Sequence, residues 1–165
     1  MADEQFLEKV FTATSTDESR KLYDQWASSY DSDMAIHEFT APQMVAERVS
    51  KYLENSKPSK TQIVDAGCGS GAVGVELSKL GYLAIDGLDI SQGMLDVARK
   101  LDVYRELNIA DLTKRLDVED GAYDALVCCG TFTHGHLGHG PLEDFVRVVQ
   151  SRRTICRHVL SIITY

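Results

Sequence analysis

Ile63-Val64-Asp65-Ala66-Gly67-Cys68-Gly69-Ser70-Gly71-Ala72-Val73-Gly74 is the stretch on which the reading of this chain turns. A β-branched run ends in an acid, three glycines follow at alternate positions, and a helical pattern then begins. A strand that stops in a glycine-rich turn and restarts as a helix aims bare backbone N–H groups at whatever sits above the turn. A Cβ there would block close approach of a ligand and disfavour positive φ. The stretch therefore implies a protein that holds a small nucleotide-like molecule, and its neighbours decide which one.

Working outward, strands and helices alternate downstream. Strand one is about 61–66, a helix runs about 71–80, and strand two is about 83–88, closed by Asp89. Ser91 caps a helix of about 92–100. Strand three is near 103–107, strand four near 123–129, a helix follows Pro141 to about 151, and a last strand covers roughly 156–163. Residues 111–121 are too short and polar a connection to hold a long helix. This alternation predicts an α/β fold, a Rossmann-like parallel sheet with helices on both faces and right-handed crossovers. The ligand then belongs at the carboxyl ends of the strands, where the strand order reverses.

Upstream, residues 1–60 read as a helical cap on a core of 61–165, in one compact domain overall. Ser15-Thr16-Asp17-Glu18 offers a capping box. Leu22, Trp26 and Tyr30 recur at i, i+4, i+8 on one face. A third helix starts near Thr40, with Pro42 in its first turn and a buried face of Val45, Val49 and Leu53. Residues 55–60 read as a linker.

The 165 residues suit one domain with a proper core. A net charge of −8 repels phosphate backbones and weighs against nucleic acid as a partner. Arg147, Arg152, Arg153 and Arg157 have no interleaved aromatics and read as a solvated helix end. No stretch is long and apolar enough to span a bilayer, so no membrane partner is expected. Met1-Ala2-Asp3-Glu4-Gln5 is acidic and is no signal, so the cytoplasm is expected, with a nuclear pool open. Cys68, Cys128, Cys129 and Cys156 form no C-x-x-C pair and are expected to stay reduced.

Two nucleotide readings compete for the glycine turn. Gly69-Ser70-Gly71-Ala72-Val73-Gly74 literally spells G-x-G-x-x-G, the dinucleotide fingerprint of an NAD-dependent oxidoreductase. Taking Gly69 as its first glycine leaves Asp65 and Gly67 inside a buried parallel strand, which is costly. Taking Gly67 as first puts Asp65 at the strand tip, a poor neighbour for a pyrophosphate and a good one for a cation. Asp89 suits either reading, because a carboxylate there accepts ribose hydroxyls. Ile90 and Met94 fit an adenine face or plain core packing equally.

Other candidates carry their own alternatives. Gly130-Thr131-Phe132-Thr133-His134-Gly135-His136-Leu137-Gly138-His139-Gly140 overhangs the site. Its histidines are spaced by glycines with no companion acid or cysteine pair, so no metal site is expected. A neutral histidine near pH 7 can take a proton, which makes His134 and His136 candidate catalytic bases. A lid with no proton role is equally compatible. Trp26 reads as a core anchor. Tyr30, beside Asp31, reads as a ring for a cationic ligand. Asp124 sits at the wrong end of strand four for the site and reads as structural.

Asp65-Ala66-Gly67-Cys68-Gly69-Ser70-Gly71 resembles the first motif of the class I S-adenosylmethionine (SAM)-dependent methyltransferases, an acid followed by x-G-x-G-x-G. Three further stretches, Tyr23-Asp24-Gln25-Trp26-Ala27-Ser28-Ser29-Tyr30-Asp31, Gly87-Leu88-Asp89-Ile90-Ser91 and Cys129-Gly130-Thr131-Phe132-Thr133-His134-Gly135-His136, together with that motif resemble the Williams–Beuren syndrome critical-region methyltransferase-like proteins. The resemblance runs from about Tyr23 to Val149. It implies the methyltransferase fold with strand order 3-2-1-4-5, SAM as cofactor, and a small-molecule or protein methyl acceptor. It also implies cofactor contacts from Asp65, Gly67, Cys68, Gly69, Gly71, Asp89, Ile90, Met94, Asp111, Cys129 and Tyr30, with Asp111 accepting from the adenine amino group. Where this family usually has Lys-Pro-Gly-Gly, the chain reads Gln150-Ser151-Arg152-Arg153-Thr154-Ile155-Cys156, and the usual strand 6/7 hairpin is missing. An uncovered final strand predicts self-association or low solubility. A non-catalytic SAM-binding module is therefore carried as the alternative to an active enzyme.

Overall fold

The computed structural model describes residues 2–35, 40–131, 140–149 and 159–162. Helix α1 (Ala2–Thr12) leads into α2 (Thr16–Trp26). Ser15 starts α2: its hydroxyl accepts from the Glu18 N–H at 3.2 Å, as the spacing predicts. The return bond differs from a capping box. The Glu18 carboxylate accepts from the backbone N–H and hydroxyl of Thr14, at 2.9 and 3.0 Å.

The apolar stripe through Tyr30 is broken where the sequence reads it as continuous. Residues 27–29 turn, and a short helix α3 (Tyr30–Ala35) begins afresh. Asp33 holds that turn by accepting from the Trp26 indole at 2.7 Å and the Ser29 hydroxyl at 3.0 Å. Trp26 is fully buried and stacks on Phe6, with Tyr30 edge-on to it at 4.8 Å, so it is a core anchor. Helix α4 (Ala41–Tyr52) has Pro42 in its first turn and buries Val45 and Val49, with Leu53 just beyond its end.

A 3₁₀ turn at Pro58–Lys60 then feeds the sheet. Its strands are β1 (Gln62–Ala66), β2 (Ala84–Asp89), β3 (Glu106–Ile109), β4 (Ala125–Cys129) and β5 (Val159–Ile162). Their order is β3-β2-β1-β4-β5, all parallel. The connecting helices are α5 (Ala72–Lys79), α6 (Gln92–Arg99) and α7 (Leu142–Val148). Successive side chains of a strand face opposite ways. Ile63, Ile85 and Val127 accordingly join α4 and α5 in one core, while Val64, Leu88 and Leu126 join Phe145 and Val148 of α7 in the other.

Strand three starts later than predicted. Asp102 takes a left-handed φ of +55°, and the Arg105 N–H meets Ile85 O at 2.7 Å before pairing begins at Glu106. Tyr104 is thereby turned beneath the glycine turn instead of lying in a strand. Helix α7 ends short of 151 because Val149 is extended and bridges Tyr123. Asp124 is structural, accepting from the Gln62 N–H at 2.9 Å.

Arg147 is no solvated helix end. Its side chain is only 14% exposed and grips the connection from β3 to β4. It donates to Leu116 O at 3.0 Å and Val118 O at 2.6 Å, and pairs with Asp144 and Asp120. Arg152, Arg153 and Arg157 lie outside the described residues. A second unforeseen group is buried Asp86 in β2, which accepts from Arg105 and from the Tyr123 hydroxyl. Among the described residues no helix is long and apolar enough to cross a membrane.

Candidate functional site

A cavity of about 680 Å³ opens at the carboxyl ends of β1, β2 and β4. The turn between α1 and α2, helix α3 and the start of α4 complete its walls. The strand order reverses at β1, where β2 lies on one side and β4 on the other, so the sheet leaves a crevice there.

The glycine turn forms the floor. Gly67 and Gly69 take left-handed φ of +77° and +53°, which L side chains rarely adopt. A Cβ on Gly67 would come within 2.5 Å of Thr131 Oγ1, whereas one on Gly69 would meet nothing within 4 Å. Asp89 holds the turn in shape. Its Oδ2 accepts from the Gly69 N–H at 2.8 Å, and its Oδ1 from the Ser91 N–H at 2.9 Å. Burial raises the Asp89 pKa against the pull of these backbone donors. The Ile90 N–H is a third backbone donor to this carboxylate, which still has acceptor capacity left for a ligand.

The wall beside Asp89 is built by a contact the sequence did not reveal. Ser91 caps α6, accepting from the Met94 N–H at 3.1 Å. It also donates to Asp24 Oδ1 at 2.6 Å, and the Gly93 N–H donates to the same oxygen at 3.0 Å. Asp24 on α2 therefore ties the N-terminal helices to the cofactor side of the sheet. A lone Asp in a polar helix carries no signal of such a role.

Of the residues expected to hold the cofactor, Tyr30, Gly67, Cys68, Gly69, Asp89, Ile90, Met94, Asp111 and Cys129 line the cavity. Asp65 and Gly71 do not. Asp65 pairs with Gly87 and Val127 inside β1 and is completely buried, so it is not an open strand tip. Its Oδ2 accepts from the Tyr104 hydroxyl at 2.8 Å, while Oδ1 has no partner. Burial pushes its carboxyl up to about 7, with Tyr104 pulling the other way. Gly71 begins α5 with its back to Leu101, where a Cβ would meet Cδ1 at 2.7 Å. His134 and His136 lie outside the described residues.

Burial lifts the thiols of Cys128 and Cys129 to about 12, so neither is a thiolate near neutral pH. Burial also acts to raise the Asp111 carboxyl, but Thr113 and Lys114 outweigh it and hold that group below its ordinary value. Asp111 accepts from the Thr113 N–H at 3.0 Å and hydroxyl at 2.6 Å.

Charge sorts the ligands. Among the described residues the cavity is lined by the carboxylates of Asp31, Glu76, Asp89 and Asp111, and by no Lys, Arg or His. Such a wall favours a cation and repels a diphosphate. The literal G-x-G-x-x-G also has another cause: a Cβ on Gly74 would overlap the Tyr104 phenol. Gly74 makes room for a side chain and not for a pyrophosphate. The bare turn, the acidic wall and the buried unpaired Asp65 oxygen fit a sulfonium-bearing nucleoside.

Fold and site together are those of the class I SAM-dependent methyltransferases, whose cofactor is S-adenosyl-L-methionine. Residues 63–152 match the family described as methyltransferase domain, more than half of the chain, and the chain belongs to that family. It is 33% identical over 117 residues to human methyltransferase-like protein 27, covering 70% of this chain and 47% of that protein. It is 34% identical over 105 residues to an 18S rRNA (guanine-N(7))-methyltransferase of Arabidopsis thaliana, covering 63% of this chain and 35% of that one. The fold also matches a structure of the Haloferax volcanii Trm112 methyltransferase activator in complex with a protein described as a methyltransferase. There the TM-score is 0.64 at 23% identity, over 78% of this chain and 55% of that one. The chain spans half or less of the length of these curated relatives.

Proposed function

We propose that the chain is the SAM-binding core of a methyltransferase whose acceptor is a small-molecule or protein nucleophile. The observation that carries this reading is the lining of the bare glycine turn by four carboxylates and by no Lys, Arg or His among the described residues, although Glu76 and Asp111 pair with Lys79 and Lys114 behind it. When bound, SAM supplies a methyl group already activated by the sulfonium charge. What the chain contributes is positioning and exclusion of water. Gly67 and Gly69 admit close approach of the ligand to the backbone. The remaining acceptor capacity of Asp89 takes the ribose hydroxyls, Ile90 and Met94 cover the adenine faces, and Asp111 accepts from the adenine amino group. Cys129 to Thr131 pass under the amino-acid end, and the Tyr30 ring faces the cationic part.

His134 and His136 are the proposed proton acceptors for the incoming nucleophile. The Arabidopsis relative acts on 18S rRNA by its name. For this chain, a net charge of −8 and a cavity wall with no described cation support a non-nucleic-acid acceptor. The finer resemblance to the Williams–Beuren region proteins rests on the Tyr23–Asp31 and Cys129–His136 stretches.

A thermal-shift panel with SAM, S-adenosylhomocysteine and NAD tests the reading. Saturation a hundredfold above Kd stabilises a fold by about 2.7 kcal/mol. SAM and S-adenosylhomocysteine are expected to raise Tm and NAD to leave it unchanged, with most of the SAM shift lost in Asp89→Ala. Stabilisation by NAD alone overturns the cofactor, and a full SAM shift in Asp89→Ala overturns the ribose assignment. Conversion of SAM to S-adenosylhomocysteine in an acceptor-containing extract separates a catalyst from a binding module.

A further inference from the structure

Resting on the methyltransferase reading, we propose that Tyr104 is a positioning residue for the cofactor. Its hydroxyl holds one oxygen of Asp65 and leaves the other unpaired at the carboxyl end of β1, as the counter-charge to the ligand's cationic part. Tyr104 lies in the connection from α6 to β3, outside both the glycine motif and the cavity lining. Three glycines nonetheless leave space for its ring. A Cβ on Gly71 or on Gly87 would come within 3.1 Å of ring carbons, and one on Gly74 would overlap Cζ and the hydroxyl.

The hydroxyl has its hydrogen committed. It accepts from the Gly74 N–H at 3.2 Å, which orients its own hydrogen to Asp65 Oδ2 at 2.8 Å. Asp65 is completely buried and its Oδ1 has no partner. A buried acceptor left unpaired is costly, and because Asp65 lies behind the cavity lining it acts on the ligand through space, by charge and not by a hydrogen bond. The other titratable groups facing Asp65 are Asp89 at the end of β2, Cys68 in the glycine turn, and Cys128 and Cys129 at the end of β4. All are acids, so no cation of these elements satisfies Asp65, and the phenol is what keeps it ionisable. Burial holds its carboxyl at about 7, and loss of the Tyr104 donor lifts it further.

The test is a calorimetric SAM titration of wild type, Tyr104→Phe, Asp65→Asn and the double variant between about pH 6 and pH 9. If the Asp65 midpoint rises by about one pH unit, its ionised fraction at pH 7 falls about fivefold. Tyr104→Phe is therefore expected to bind SAM about fivefold more weakly near pH 7 and to converge on wild type near pH 9. The ligand's own titration is common to both proteins and cancels in the ratio. In the Asp65→Asn background, Tyr104→Phe is expected to change nothing further, because the effect runs through that carboxylate.

A wild-type-to-variant ratio that stays constant with pH, or effects that multiply in the double variant, overturns the proposal. Gly74→Ala keeps the tyrosine but displaces its hydroxyl, and is expected to give the same pH-dependent loss. It carries the test if Tyr104→Phe fails to fold. Failure of the wild type itself to bind SAM overturns the methyltransferase reading and the proposal with it. Binding by wild type with an unaltered Tyr104→Phe overturns the role of Tyr104 alone.

Discussion

Asp65→Asn is expected to make the ligand-free protein more stable at pH 8 while weakening its response to SAM. The carboxyl is fully buried, and its pKa is raised from 3.8 to about 7, by burial first of all. A raised native pKa means that the folded state holds the proton more tightly than the unfolded chain. The stability this gives is complete below about pH 4, declines as the pH rises, and is gone above about 7. For a shift of this size the decline is on the order of 4 kcal/mol. An asparagine keeps the shape of the protonated acid and cannot ionise, so it escapes that decline. Against this, an amide N–H₂ placed where Oδ1 lacks a partner costs about 1–3 kcal/mol. The net gain at pH 8 is therefore about 1–3 kcal/mol, and at pH 4.5 the variant is level with wild type or less stable. Urea unfolding of both proteins at the two pH values, with the midpoint and slope fitted together, measures the difference. A wild-type-minus-variant difference that is the same at pH 4.5 and pH 8 would refute the argument, because only an ionising Asp65 makes it pH-dependent.

Four further substitutions test other parts of the site and the scaffold behind it. Gly67→Ala forces a Cβ onto a φ of +77° and toward Thr131 Oγ1; it is expected to cost about 1–3 kcal/mol and the SAM-induced Tm shift. Gly69→Ala meets open space but must hold a left-handed φ of +53°, and is expected to cost about 1–2 kcal/mol, as read from parallel melting curves. Asp24→Ala removes two bonds to the start of α6 and is expected to cost about 1–2 kcal/mol in urea unfolding and to weaken SAM binding in calorimetry. Arg147→Ala releases Leu116 O and Val118 O and is expected to cost about 2–4 kcal/mol, with faster amide hydrogen exchange across 116–121 while exchange in β1 is unchanged.

The sheet was legible because its signals are local. β-branched runs alternate with helical periods, and Ser15, Ser91 and Pro42 mark helix starts by chemistry that acts over three residues. Apart from the turn at 27–29 and the Thr14 partner of Glu18, the missed features join residues far apart in sequence. Asp24 meets Ser91 and Gly93, Tyr104 meets Asp65, Arg147 meets Leu116 and Val118, and Asp86 meets Tyr123. No periodicity or spacing within one segment encodes such a partner. The same reason explains strand three. The residues at 103–105 carry a strand-like pattern, but the left-handed Asp102 and the slot for Tyr104 displace the start of pairing to Glu106. The cost of a buried carboxylate favours a strand tip for Asp65 from sequence alone, yet the structure sets it inside β1 and fully buried, because a five-residue strand gives no sign of how far its neighbours extend.

The ambiguity of the glycine turn has a physical source. Gly67 and Gly69 face the cavity, where bare backbone serves a ligand, while Gly71, Gly74 and Gly87 stand around one tyrosine ring. A sequence motif counts both kinds alike, which is why the same letters spell a dinucleotide fingerprint and a methyltransferase turn. What separates the ligands is the sign of charge along the wall, supplied by Asp31, Glu76, Asp89 and Asp111 from four different segments. Lys79 and Lys114 offset Glu76 and Asp111 in part, but a diphosphate placed on the turn would still face Asp31 and Asp89 with no cation in the lining among the described residues, at a repulsion that a low-dielectric cleft strengthens. A sulfonium or ammonium would be drawn to it. Exchanging the sign at one wall position therefore probes specificity more directly than altering the turn. Glu76→Lys leaves every glycine in place, and is expected to weaken SAM binding more than binding of uncharged-sulfur S-adenosylhomocysteine in paired calorimetric titrations. Equal loss for the two ligands would mean that the wall acts by shape and not by charge.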